Sequence, residues 1–178
     1  MKTGLIWVAA LFVFSAFGFM VWQKESILRH GRTVYLELAP VDPRSLMQGD
    51  YMALNYALAR SFRQWDGEKD KPEAPRSGVL VIELDARGAG RFLRLHQGET
   101  LNAKEQLLRF HHVGRRVAIG AESYFFQERT GESYAGAKYG ELKVSANGTP
   151  LLVALCDGEL KRKGPKEGSS VYSKTTTP

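Results

Sequence analysis

A single cysteine, Cys156, stands in this chain of 178 residues. That rules out an internal disulfide and any multi-cysteine metal site. Following the apolar run Leu151–Leu155, it reads as a buried thiol rather than a nucleophile, since no histidine is placed beside it. A glycine-rich phosphate loop, a G-x-S-x-G elbow and an H-E-x-x-H helix are also missing. No internal repeat is evident. The net charge is +6, yet the basic residues are scattered apart from Lys161-Arg162-Lys163 and Lys166, so nucleic acid is not expected as a partner.

The most consequential absence is charge between Gly4 and Trp22. As a helix this run reaches roughly 28 Å at about 1.5 Å per residue, close to the bilayer core of about 30 Å. Trp7 and Trp22 lie near its ends, where amphipathic rings favour the interface. A cleaved signal peptide ending near Ala16-Phe17-Gly18 is the rival reading. The run continues through Phe19-Met20-Val21-Trp22, which favours an uncleaved anchor. Residues 1–30 are therefore an anchor, helical over about 4–22 and inserted in the lipid bilayer, with a juxtamembrane segment. Lys2 faces Lys24, Arg29 and Arg32 across it; a literal count keeps the domain cytoplasmic, while so short an N-terminal tail favours its export. The residues alone leave orientation open.

Residues 31–160 read as one mainly β domain, an antiparallel sheet or barrel-like fold with one short helix near Arg129–Tyr139. Val34, Leu36 and Leu38 alternate in a first strand. Met52, Leu54, Tyr56 and Leu58 alternate in a second, entered through the prolines at 40 and 43 and Gly49. Arg63–Arg76, polar and holding Pro72 and Pro75, reads as a long exposed loop. Val79–Leu84 is apolar on both faces, as a central strand should be. Strands are also expected over Arg91–His96, Leu107–Val113 and Arg116–Ile119. Glu141–Leu155 is a hairpin about a two-residue Asn147-Gly148 turn, with Pro150 at an edge. Residues 161–178 read as a basic, disordered tail.

Few residues carry a chemical signal. Asp50 stands at the mouth of the second strand, where its carboxylate can either accept backbone N–H groups or act as a base or ligand. His111-His112 would point to opposite faces of a strand and so cannot share one ion; no metal site or cofactor is expected. Glu122-Ser123-Tyr124-Phe125-Phe126 puts Tyr124 and Phe126 on one face and Phe125 on the other.

Gly49-Asp50-Tyr51-Met52-Ala53-Leu54-Asn55-Tyr56 matches G-D-Y-x-x-L-x-Y in full. With Asp42-Pro43-Arg44-Ser45-Leu46 before it and the Glu122–Phe126 block after it, the chain resembles the bacterial membrane-anchored GDYXXLXY family. The resemblance implies one N-terminal anchor in the cytoplasmic (inner) membrane, a domain outside the cytoplasm, and company with a multi-spanning membrane protein. It implies no established activity. Gly49, Asp50, Tyr51, Leu54 and Tyr56 are then the motif positions, structural or binding. Pro43–Asp50 is also similar to a strand element of type I signal peptidases, but no hydroxyl stands in the nucleophile's place and Ser45 falls after the proline. The expectation is a non-enzymatic, membrane-anchored accessory domain. The alternative is a hydrolase-like or metal-dependent enzyme using Asp50.

Overall fold

The computed structural model describes residues 2–39, 47–48, 51–66, 75–114, 116–127 and 130–165. Pro40–Leu46, Gly49 and Asp50 lie outside the described residues. So do the turn at the two prolines, the enzymatic reading of Asp50 and most of the signal-peptidase comparison.

Helix α1 (Lys2–His30) runs well beyond the apolar stretch. Its last turns are polar, with a Glu25–Arg29 pair at 2.7 Å, yet Ile27 is buried where the helix packs on the domain. The segment 23–30, expected as a juxtamembrane connection, is thus a continuation of the same helix.

The strands, in chain order, are β1 (Arg32–Glu37), β2 (Met47–Gln48), β3 (Tyr51–Ala53), β4 (Ser77–Leu84), β5 (Gly90–Leu95), β6 (Glu105–Val113), β7 (Arg116–Ala118), β8 (Ser123–Phe125), β9 (Tyr139–Val144), β10 (Pro150–Cys156) and β11 (Arg162–Lys163). They form two four-stranded antiparallel sheets, β1-β9-β10-β11 and β5-β4-β6-β7, and a three-stranded sheet β2-β3-β8. The larger sheets curl as half-barrels. They meet along two seams. At one, the Tyr35 N–H of β1 donates to the Gly88 carbonyl at 3.0 Å; at the other, the Arg109 N–H of β6 donates to Gly148 in the β9–β10 turn at 2.8 Å. Val34, Leu36, Leu80, Ile82, Leu108, Leu142 and Leu155 fill the space between with no exposed surface. Gly90 leaves room for side chains from both sheets: a Cβ there would lie 3.0 Å from Ile82 and 3.2 Å from Leu36.

Five expectations are corrected. The alternation from Met52 does not continue as a strand to Leu58, because helix α2 (Ala57–Asp66) begins after Tyr56. Leu58, Phe62 and Trp65 follow the three-and-four spacing of a helix face, so Arg63–Asp66 is helix rather than exposed loop. Phe62 is fully buried against Trp65, Phe92 and Phe110, with ring centroids at 5.8, 5.4 and 4.7 Å. The expected short helix near Arg129 is only a 3₁₀ turn, Gly131–Tyr134. The Asn147-Gly148 turn is not a two-residue hairpin. Ser145 and Thr149 close a three-residue loop, Ser145 N–H to Thr149 carbonyl at 3.1 Å, with Gly148 in the left-handed region at φ +84°, the pattern of a type I turn followed by a glycine bulge. Finally, Arg162 and Lys163 pair with Cys156 and Leu155 as β11, so ordered structure continues past residue 160.

Candidate functional site

Two stretches distant in sequence come together. β3, from the motif, pairs antiparallel with β8, from the second aromatic block: Tyr51 opposite Phe125, Met52 opposite Tyr124, Ala53 opposite Ser123. The ladder extends by one bond, from the Leu54 N–H to the Glu122 carbonyl at 2.8 Å. Side chains alternate across a strand, and burial follows that rule. Met52 and Leu54 turn inward and are buried, as is Tyr56 beyond the strand, whereas Tyr51 and Ala53 are only half-buried.

Leu54 and Tyr56 therefore fasten the motif to the core. Tyr56 bridges to Leu38 at the end of β1, and its hydroxyl donates to the Ala121 carbonyl at 3.1 Å. Burial raises its phenol pKa far above the ordinary value, so it stays a neutral donor at any ordinary pH. On β8, Tyr124 lies edge-on to Tyr134 at 5.2 Å and Phe126 stacks on the same ring at 5.3 Å. Tyr134, on the 3₁₀ turn, is the brace of this block; nothing local in the sequence marks it. Glu122 contributes its backbone, and its side chain is exposed.

The outward face differs. Tyr51 and Phe125 meet with centroids 5.7 Å apart, and Phe125 is 75% exposed. The other large apolar side chains exposed outside α1 reach at most 43% among the described residues. A paired aromatic step thus stands on the small sheet, at the end of β1 opposite α1. Six strand residues separate the two ends, about 20 Å at roughly 3.3 Å per residue.

Two ionisable clusters elsewhere are locked. Arg94 Nη1 and Nη2 donate to the two Glu105 oxygens at 2.7 and 3.1 Å, and its Nε donates to Glu99 at 2.8 Å. Hydrogen bonds from Arg94 and Asn102 hold the Glu105 carboxyl down to about 2; backbone donors in its loop, aided by Arg94, do the same for Glu99. His96 Nδ1 lies 3.5 Å from Glu99. On the first sheet, Arg162 Nε and Nη2 donate to buried Glu141 at 2.6 and 2.7 Å. Cys156 is fully buried beside this pair; burial, with Glu141 adding to it, pushes the thiol up to about 11. It is an inert thiol at neutral pH. His111 is exposed, whereas His112 turns toward Phe62 and Phe110, so the adjacent pair does face opposite ways. Among the described residues, no group of three or more His, Cys, Asp or Glu is arranged to hold a metal ion.

An N-terminal apolar helix, long and apolar enough to cross a membrane, followed by a domain of two half-barrel sheets in which Tyr51–Ala53 of the G-D-Y-x-x-L-x-Y motif pairs with β8, defines the class. A family model described as GDYXXLXY protein matches residues 13–155, and the chain belongs to that family. Neither the curated proteins nor the solved structures gave a match.

Proposed function

We propose that this chain is a single-pass inner-membrane protein whose β domain lies outside the cytoplasm and acts, without chemistry of its own, as an accessory that binds a multi-spanning membrane protein. The observation that carries the reading is the Tyr51–Phe125 pair, displayed by a strand whose neighbours Met52, Leu54 and Tyr56 are all anchored in the core. Burying one such ring against a partner is worth about 1.5–3 kcal/mol, and rigidly held aromatics commonly dominate interfaces. The apolar length of α1 and the tryptophans at the two ends of its apolar stretch support anchoring.

The test has three arms. The full chain should stay with membranes through a carbonate wash. Protease added to spheroplasts should digest the domain while cytoplasmic markers survive. An integral membrane protein should copurify with the wild type and be lost with Phe125→Ser. Release by carbonate would refute the anchor, protection of the domain would refute the orientation, and unchanged recovery with Phe125→Ser would refute the surface.

A further inference from the structure

At the end of the domain nearest α1, a cleft of about 440 Å³ opens between the start of β1, the β4–β5 turn and the residues leading into β6. Arg32, Arg91 and Lys104 line it, facing Glu83 and Asp85. We propose that this cleft binds the headgroup of an anionic phospholipid, a site additional to the Tyr51–Phe125 surface and resting on the reading of α1 as a membrane anchor.

Position comes first. Arg32 follows the end of α1 by two residues, and the helix continues without a break from Trp22 to His30, a rise of about 12 Å at roughly 1.5 Å per residue. With Trp22 at the edge of the hydrocarbon, the headgroup layer fills about 5–8 Å of that rise. The cleft then stands within one side-chain length of the lipid phosphates.

Charge comes second. The Arg32 guanidinium is fixed in the wall by donating to the Glu105 and Ala103 carbonyls, both at 3.1 Å, which leaves its positive charge without a carboxylate partner among the described residues. Arg91 is 80% exposed and only 3.7 Å from Glu83, and Lys104 is exposed. Among the described residues neither makes a side-chain hydrogen bond, so both have donors to offer. The Asp85 Oδ1 is occupied within its own turn, accepting from the Arg87 and Ala89 N–H groups at 2.8 Å, and these bonds keep the carboxyl ionised. Asp85 Oδ2, 4.0 Å from Arg87 Nε, and Glu83 remain as acceptors. Cationic donors beside carboxylate acceptors fit a phosphodiester carrying a hydroxylated headgroup, such as phosphatidylglycerol, better than a bare phosphate ion. A zwitterionic phosphatidylcholine headgroup has no net charge to gain from a lining whose three cations outnumber its two carboxylates.

The full chain, in non-ionic detergent, is titrated with short-chain phosphatidylglycerol, short-chain phosphatidylcholine or inorganic phosphate, and bound molecules are counted by native mass spectrometry. Phosphatidylglycerol should be retained, phosphatidylcholine much less, and inorganic phosphate at the same concentration should not displace the lipid. Arg91→Ala and Lys104→Ala should each weaken retention about fivefold and the double variant about 25-fold, the effect expected of basic residues at an anionic surface. Lys138→Glu, beside the β9 end remote from α1, should leave retention unchanged. Equal retention of both lipids, insensitivity to the cleft variants, or an equal loss with Lys138→Glu would overturn the site. Displacement by inorganic phosphate at the same concentration would overturn the lipid in favour of free phosphate. A carbonate-extractable chain would refute the anchor without altering this detergent readout, so the two failures are distinguishable.

Discussion

Arg162→Ala tests whether the last strand is held by one ion pair. Glu141 is buried on β9, its side chain 6% exposed, and its two oxygens are satisfied by Arg162 at 2.6 and 2.7 Å from β11. Hydrogen bonds to charged groups contribute about 1.5–3 kcal/mol each. Arg162 itself is 61% exposed, so water screens the pair and can reach part of the vacated site, which argues for a smaller sum. The expected loss at pH 7 is about 1–3 kcal/mol. Arg162→Lys, with charge but no planar fork, should lose roughly half of that. The pH dependence follows from the Glu141 carboxyl, which Arg162 holds below its usual range in the folded chain. A depressed carboxyl contributes stability that is present above the unfolded value, near 4.5, and lost as pH falls through the folded value. The gap between wild type and Arg162→Ala should therefore be full at pH 7 and close steadily below about pH 4. Urea unfolding of the full chain in non-ionic detergent measures it, with Trp7 and Trp22 replaced by Phe so that Trp65 reports alone. A loss under 0.5 kcal/mol, or a gap constant from pH 7 to pH 3, would show that β11 is held by something other than this pair.

The same assay checks three further substitutions. Gly148→Ala should lose about 1–3 kcal/mol, because φ +84° suits only glycine and a Cβ would lie 3.1 Å from the Leu107 backbone; a neutral or stabilising result would contradict the bulge geometry. Phe62→Ala, at a position with no exposure, should cost about 3–5 kcal/mol; under 1 kcal/mol would deny that α2 closes the core. Since Phe62 stacks on Trp65, its loss should also shift the folded-state emission of that indole. Tyr56→Phe should cost about 1–2 kcal/mol by leaving the Ala121 carbonyl unpaired, and should leave partner recovery at its wild-type level.

How much of this was legible in the residues depended on how local the cause was. Val34 and Leu36 alternate with polar neighbours and are buried as that pattern requires, and Val79–Leu84 lies at the centre of its sheet as a doubly apolar run should. α2 was hidden because Leu58 extends the alternation of Met52, Leu54 and Tyr56. Only the later spacing to Phe62 and Trp65 marks a helix, and the polar residues after it resemble a loop. The turn falls at Asn147-Gly148 as the residues indicate, but its type depends on Ser145 rather than Ala146 pairing with Thr149. β11 looked like the start of a polar tail, since Lys161-Arg162-Lys163 gains its order from Glu141, about twenty residues away. Both halves of the candidate surface were visible as separate motifs. Their pairing across β3 and β8 was not, because a register between residues 51 and 125 leaves no trace in either stretch alone.

The surface itself is tested most directly by a photo-crosslinking amino acid placed at Phe125 in the full chain, irradiated in intact cells. One dominant adduct with a multi-spanning membrane protein is expected, abolished by Tyr51→Ala and not formed from the same probe at Lys138. An equal adduct from Lys138, or one indifferent to Tyr51, would contradict the claim that the motif strand and the second aromatic block together make the binding surface.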